Sequence, residues 1–162
     1  MKLIVAVSAD WGIGRDNQLL FSLPTDMKFF RTMTKGATVI MGRRTLESFP
    51  GGQPLKGREN IVLSRDPAFR PEGVTVVRTP DELPDRPDAF VIGGEAIYRL
   101  LLDRCDTAYI TKVDAHVPAD RFFPDLDALP DWQLAEAGPP QEENGLTFRF
   151  LTYRRVCPGE AL

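Results

Sequence analysis

The chain has 162 residues, of which 43% are hydrophobic, and its formal net charge is −3. This length suits one domain, and the hydrophobic fraction is too high for a disordered protein. The acidic balance argues against a nucleic-acid partner, and the absence of an apolar run of about 20 residues argues against a membrane protein.

Short β-rich runs alternate with helical patterns along the chain. In chain order the pattern predicts a strand over 3–9, a helix over 24–34, a strand over 37–42, a helix over 43–49, strands over 60–64 and 74–77, a very short helix over 80–83, a strand over 89–92, a helix over 95–102, a strand over 107–113 and a terminal antiparallel pair over 132–137 and 146–155. This order predicts an α/β fold in one domain, with a central mixed, mostly parallel β-sheet flanked by helices and a C-terminal antiparallel strand pair.

Asp26 opens the first predicted helix and is the leading candidate for chemistry. Met27, Phe30 and Met33 recur at the spacing of one helix face, and Asp26 precedes Phe30 by one turn on that face. A carboxylate against an apolar stripe is costly to desolvate, so it is paired, partly protonated or kept for chemistry. The alternative is a first-turn acid that caps the helix, and the spacing alone favours that alternative.

Two turns, in which a strand runs directly into a helix, indicate a site for an anion. The first turn has the sequence Gly-Arg-Arg-Thr over 42–45, which places two guanidinium groups beside the free backbone N–H groups of a helix start. In the second turn, Gly93 and Gly94 let the backbone approach a ligand. Either turn alone could serve packing, but together they suggest a nucleotide gripped at both ends of its pyrophosphate.

Two further segments extend this interpretation. Ser64 and Arg65 follow another strand, and a hydroxyl beside a guanidinium suits a ribose 2′-phosphate, which favours NADPH over NADH. The segment from Trp11 to Leu20 lies between the first strand and the first helix, and its glycines could be the hinges of a mobile flap over a pocket.

The cysteines and the histidine carry no chemistry in this interpretation. Cys105 and Cys157 are far apart and are predicted to be reduced thiols in a cytoplasmic protein. His116 is the only histidine, so we expect a structural residue and no metal site.

These motifs, in this order, resemble the bacterial dihydrofolate reductases from Leu3 to about Arg154. The resemblance is carried by Gly12-Ile13-Gly14 with Asn17, Leu23-Pro24-Thr25-Asp26, Val39-Ile40-Met41-Gly42-Arg43, Gly57-Arg58-Glu59-Asn60, Val91-Ile92-Gly93-Gly94, Tyr109-Ile110-Thr111 and Asp120 with Phe123-Pro124. Each motif is weak alone, but the ordered set is highly specific. The resemblance implies a monomeric, cytoplasmic enzyme that uses NADPH to reduce 7,8-dihydrofolate to tetrahydrofolate and that binds antifolate inhibitors. It also implies that residues of about 37–88 form the adenosine-binding part of one domain over 1–162.

The resemblance also implies the residues of the substrate site. Asp26 matches the single active-site carboxylate, and Thr111 matches the hydroxyl that ties this carboxylate to the pterin. Phe21 stands where many relatives have a Trp that helps to hold a water, and Phe21 has no group to donate. Arg58 matches the arginine that clamps the substrate's glutamate carboxylate. The wall positions around the ligands are Ile4, Val5, Ala6, Met27, Phe30, Phe49 and Ile92.

On the cofactor side the resemblance implies a longer set of positions. They are Ala6, Ile13, Asn17, Leu19, Gly42, Arg43, Arg44, Thr45, Leu63, Ser64, Arg65, Ile92, Gly93, Gly94, Glu95, Ala96, Ile97 and Tyr98. In this family the Gly93–Gly94 bond is usually cis. Glu95 brings a negative charge near the expected pyrophosphate, which should weaken cofactor binding unless its side chain turns away.

Two alternatives remain open. A reductase that acts on a pyrimidine intermediate of flavin synthesis shares fold and cofactor, but it is usually fused to a deaminase domain and lacks the Pro-x-Asp placement of Asp26. A non-catalytic dinucleotide-binding module would not need Asp26, Thr111 and Arg58 together.

Overall fold

The computed structural model describes residues 1–156, so the thiol predicted at Cys157 lies outside the described residues. In chain order its elements are β1 (Lys2–Val7), β2 (Gly12–Arg15), β3 (Gln18–Leu19), α1 (Pro24–Thr34), β4 (Thr38–Gly42), α2 (Arg43–Ser48), β5 (Glu59–Leu63), β6 (Thr75–Val77), β7 (Phe90–Gly93), α3 (Glu95–Leu101), β8 (Thr107–Val113), β9 (Arg121–Phe122), β10 (Trp132–Ala137), β11 (Gln141–Glu143) and β12 (Leu146–Arg155). Short 3-10 turns lie at Pro50–Gly52, Pro80–Glu82, Leu102–Arg104 and Leu126–Ala128. No helix within these 156 residues is both long and apolar enough to cross a bilayer.

One large sheet organises the chain. Its strands lie in the order β10-β12-β8-β1-β7-β4-β5-β6, with β11 paired to β12. The strands from β8 to β6 run parallel, whereas β12 is antiparallel to β8, β10 and β11. The predicted α/β fold, with a mostly parallel sheet and a C-terminal antiparallel pair, is confirmed.

Helices cover both faces of the sheet, because neighbouring residues of each buried strand point to opposite sides. Leu3 and Ile40 pack in the cluster that includes Tyr98 and Leu101 of α3. Ile4, the residue after Leu3, packs in the cluster that α1 covers. Strands buried on both faces read as continuous apolar runs, which explains why the sequence predicts them well.

The packed face of α1 differs from the predicted one. Phe29, Phe30 and Met33 pack against the sheet, whereas Met27 is 51% exposed. Steps of three residues drift around a helix with 3.6 residues per turn, so the face defined by Phe29, Phe30 and Met33 lies about 110° from Met27. At 100° per residue Asp26 falls close to the centre of this face, so it shares a face with Phe30 and Met33 as predicted, but not with Met27.

The segment from Trp11 to Leu20 forms part of a second sheet, with the strand order β3-β2-β9. Asp16 and Asn17 join β2 to β3 with φ values of 52° and 61°, as a two-residue type I′ turn requires. Asp120, just before β9, accepts the backbone N–H of Asp16 through Oδ2 at 3.0 Å. The segment is thus a hairpin fastened to β9, and its opening and closing stay a prediction.

The connection between the two terminal strands is also more ordered than predicted. Residues 141–143, which lie between the two predicted strands, form β11 and pair with β12. Asn144 and Gly145 close this hairpin with φ values of 53° and 76°. The tight turn brings the end of β11 to a fixed place beside the start of α1.

Gly42 ends β4 where α3 passes close to the strand. A Cβ at this position would lie 2.9 Å from Cγ1 of Ile97. Gly42→Ala should therefore lower the free energy of unfolding by about 1–3 kcal/mol, as overpacking does in a filled core, measured by urea denaturation. Ile97→Ala removes Cγ1, so Gly42→Ala should cost less in that background. An equal cost in both backgrounds would contradict the close approach.

Candidate active site

Asp26 and Thr111 meet where α1 crosses the sheet. The hydroxyl Oγ1 of Thr111 on β8 donates to Oδ1 of Asp26 at 2.6 Å. The N-cap of α1 is Leu23, which makes no side-chain cap bond, and the carboxylate of Asp26 engages Thr111. The capping interpretation of Asp26 is therefore wrong.

The surroundings of Asp26 favour its protonated form. Burial is the largest cause and raises the pKa of this carboxyl above its ordinary value. The hydrogen bond from Thr111 lowers the pKa of Asp26, and the negative charge of Glu143 raises it, so the net direction is upward. A half-buried carboxyl with increased proton affinity suits a group that works with protons.

Substitution of Thr111 tests whether its hydroxyl lowers the pKa of Asp26. Thr111→Val removes a donor that stabilises the carboxylate, so the pKa of Asp26 should rise further, whereas Thr111→Ser should keep it near the wild-type value. Carboxyl ¹³C NMR across a pH titration measures both variants. A valine variant that titrates like the wild type would show that the hydrogen bond does not influence Asp26.

An apolar cluster gathers several predicted wall positions. Ile4, Phe30, Phe49 and Ile92 all belong to the cluster beneath α1. Val5, also predicted as a wall residue, packs against the cluster on the other side of the sheet. The structure therefore brings four wall positions together beneath the helix that carries Asp26 and sets Val5 apart.

Two other predicted residues have distinct environments. Ala6 lies on β1 in register with Thr111, so its backbone is adjacent to the acid's hydrogen-bond donor. Phe21 packs with Leu23, Val113 and Phe148 in a separate apolar cluster and offers no polar group to Asp26.

Arg58 lies against α1 with part of its guanidinium engaged. Nε donates to Oγ1 of Thr34 at 3.0 Å, Nη1 donates to the carbonyl oxygen of Lys56 at 3.1 Å, and the group lies 6.0 Å from the ring centroid of Phe30. Burial and the nearby charge of Arg31 lower the pKa of Arg58. Among residues 1–156, none of the ion pairs includes Arg58 or Arg31. The two cations therefore lie close together without an acidic partner. The sequence pattern does not single out Arg31, although its place one turn before the end of α1 is a usable signal.

The strand ends predicted to grip a nucleotide lie side by side. Gly42 of β4 is in register with Leu63 of β5, and β4 also pairs with β7. The Gly93–Gly94 bond is cis, as the resemblance implies. A Cβ at Gly93 would lie 3.3 Å from Oγ1 of Thr45, so the two turns approach each other closely.

Arg43 is held by acids at the start of α2. Its Nε lies 3.3 Å from Oε2 of Glu47, its Nη1 lies 3.0 Å from Oδ2 of Asp66, and its guanidinium stacks 4.5 Å from the ring centroid of Phe69. The two acids raise the pKa of Arg43. An anion that binds here must share this guanidinium with Glu47 and Asp66.

Arg78 is a cation that the sequence interpretation misses. Its Nη1 donates to the carbonyl oxygens of Ser64 at 3.2 Å and of Asp66 at 2.6 Å, which places it beside Arg65. Arg78 directly follows β6, the strand next to β5. The same strand-end signal that selects Ser64 therefore selects Arg78.

Glu95 turns away from the expected pyrophosphate position. Its Oε2 accepts the backbone N–H of Phe122 on β9 at 2.6 Å. On the same helix, the hydroxyl of Tyr98 donates to the carbonyl oxygen of Ile4 at 2.7 Å, and burial raises the pKa of this phenol.

The remaining cofactor positions are spread over the hairpin and the helix starts. Ile13 is buried, Asn17 lies in the hairpin turn, and Leu19 is 83% exposed on β3. Arg44 follows Arg43 in α2, and Ala96 and Ile97 lie in the first turn of α3. The structure therefore does not gather Leu19 with the strand ends.

A comparison with protein-family models shows the family to which the chain belongs. The family model described as "Dihydrofolate reductase" matches residues 1–155. The chain belongs to the dihydrofolate reductase family. This membership confirms the predicted family and its reductase activity and supports neither alternative.

Individual members of the family are similar over nearly their whole length. The chain is 39% identical over 161 residues to dihydrofolate reductase type 3 of Salmonella typhimurium, covering 96% of this chain and 98% of that one. It is 37% identical over 167 residues to the dihydrofolate reductase of Bacillus subtilis strain 168, covering 99% and 98%. The solved dihydrofolate reductase from Enterococcus faecalis, complexed with NADP(H) and RAB-propyl, has a TM-score of 0.85 at 31% identity and 96% coverage of each chain.

Proposed function

We propose that this chain reduces 7,8-dihydrofolate to 5,6,7,8-tetrahydrofolate with NADPH, in support of one-carbon metabolism, and that Asp26 and Thr111 hold the pterin. The observation that carries the proposal is the Thr111–Asp26 hydrogen bond of 2.6 Å at the edge of an apolar cluster. The reaction is that of the family to which the chain belongs. NADPH is supported by the Enterococcus faecalis relative, which was solved with NADP(H).

The strand-end residues fit this cofactor. The glycines at 42, 93 and 94 lack side chains that would keep a pyrophosphate away from the backbone N–H groups of the two turns. Ser64, Arg65 and Arg78 would hold the 2′-phosphate with a hydroxyl and two guanidinium groups. When bound, NADPH supplies the hydride that reduces C6 of the pterin.

The protein's own part in the reaction is orientation and control of a proton. The ionised Asp26 can accept hydrogen bonds from the 2-amino and N3 groups of the pterin, which fixes the ring in an apolar site. Its negative charge favours protonation of N5 on the far side of the ring, and water delivers that proton. Arg58, with Arg31 beside it, would bind the glutamate carboxylate of the substrate.

Asp26→Asn tests the central residue. The variant should keep NADPH binding but lose turnover at neutral pH by roughly 10²–10⁴-fold, the usual size of acid–base catalysis. Partial recovery is expected at low pH, where free dihydrofolate becomes protonated. The loss of reduced-nicotinamide absorbance on mixing with dihydrofolate measures this, and unchanged turnover would remove Asp26 from the mechanism.

Arg65→Ala tests the 2′-phosphate site. Loss of a charged hydrogen bond should weaken NADPH binding roughly 10- to 100-fold and NADH binding much less. Arg99→Ala, which removes an exposed guanidinium on α3, is the control and should affect neither cofactor. Fluorescence titration of both cofactors measures the effect. Equal weakening of NADPH and NADH would show that Arg65 does not contact the 2′-phosphate.

The remaining features of the proposal concern the whole protein. We propose that it acts as a cytoplasmic monomer, that antifolate inhibitors occupy the same cleft as the substrate, and that residues of about 37–88 form the adenosine-binding part of the single domain. Burial raises the pKa of the Cys105 thiol to about 12, so this thiol is protonated and unreactive at neutral pH.

A further inference from the structure

The first turn of α1 lacks a cap from its own sequence. Leu23 occupies the N-cap position without a polar side chain, and Pro24 follows it. The backbone N–H of Thr25 therefore has no acceptor within its own helix. Asp26 is the next residue, so the groups that order this turn also hold the backbone from which the active-site carboxylate projects.

Glu143 supplies the missing cap from the other end of the chain. Its Oε1 accepts the backbone N–H of Thr25 at 3.0 Å, and its Oε2 accepts the hydroxyl of Thr25 at 2.6 Å. Glu143 is the last residue of β11, and the tight turn after it carries Asn144. Asn144 donates through Nδ2 to the carbonyl oxygen of Ser22 at 3.3 Å. The hairpin thus holds the chain on both sides of the helix start.

The charge of Glu143 also acts on Asp26. Neither of its hydrogen-bond donors is a cation, and none of the ion pairs within residues 1–156 includes it. The other groups that face Asp26 are the hydroxyl of Thr111 on β8 and the phenol of Tyr98 on α3, both neutral. Glu143 is therefore the charged group that acts on Asp26 in the described part of the chain, and it raises the pKa of that carboxyl.

We propose that Glu143 is a positioning residue for the active-site carboxylate: it fixes the first turn of α1 and holds a second negative charge beside Asp26. The inference rests on the proposed role of Asp26 in the reduction. Two adjacent negative charges favour proton uptake, whether the proton is on the carboxyl or on N5 of a bound pterin. Glu143 therefore extends to higher pH the range over which the site holds a proton.

Glu143→Gln separates the two roles. The amide oxygen can still accept the N–H of Thr25, but the charge is lost, so the midpoint of the Asp26 titration should move to lower pH. Carboxyl ¹³C NMR of aspartate-labelled protein measures this midpoint, with Asp26→Asn identifying the signal. Glu142→Gln is the matched control, because it removes the same charge from the exposed preceding residue, which points to the opposite face of β11.

The reaction itself supplies a second measurement. At pH values above the Asp26 midpoint, the single-turnover rate of Glu143→Gln should be about two- to fivefold lower than that of the wild type, the size of a partly exposed charge interaction. Below that midpoint, the two rates should be equal. Glu143→Ala loses the anchor as well, so its rate should be lower at every pH. Thr25→Ser keeps both hydrogen bonds and should behave as the wild type.

Three outcomes decide the inference. Equal Asp26 midpoints in Glu143→Gln and Glu142→Gln would overturn it. A shifted midpoint with an unchanged pH profile of the rate would overturn the claim that Glu143 serves the reaction. A shifted midpoint in a protein that does not oxidise NADPH with dihydrofolate would support the coupling of the two carboxylates and would contradict the proposed function instead.

Discussion

The hydrogen bond from Thr111 to Asp26 is the interaction on which this active site depends. It joins positions 85 residues apart, at the place where the packed face of α1 meets β8. Phe29 and Phe30 fix that face against the sheet, so α1 cannot rotate the carboxylate out to solvent without losing its own packing. The hydroxyl of Thr111 offsets part of the cost of burying a charge, and the remaining cost is expressed as a raised pKa of Asp26.

The same sheet determines where a nucleotide could lie. The carboxyl ends of β7, β4 and β5 are adjacent, and Gly42 is in register with Leu63, so two helix starts and a cationic strand end share one edge. The strand ends and helix starts approach each other closely at this edge. A Cβ at Gly42 would contact Ile97, and a Cβ at Gly93 would contact Thr45. Glu95 adds a link from α3 to β9, the strand that holds the hairpin after β1.

The sequence predicts the features that depend on local residue patterns. Doubly buried strands read as apolar runs, and glycines at strand ends mark turns, so the parallel sheet and its strand-end turns are largely predictable. Interactions set by tertiary geometry are not. The pairing of Thr111 with Asp26, 85 residues apart, is implied only by the family resemblance. The exposure of Met27 depends on how far α1 is rotated. The hydrogen bonds that Thr25 donates to Glu143 depend on a hairpin 118 residues away that no local pattern connects to α1. Arg78 lies between these cases: the sequence interpretation misses it, although its place directly after β6 is the same strand-end signal that selects Ser64.

The most direct test of this account is an infrared titration of the Asp26 carboxyl in the wild-type protein, with the spectrum of Asp26→Asn subtracted. We expect a midpoint above the ordinary aspartate value of 3.8, because desolvation outweighs the hydrogen bond from Thr111. A midpoint at or below 3.8 would contradict it, since Asp26 would then be an ordinary ionised acid at the start of a helix.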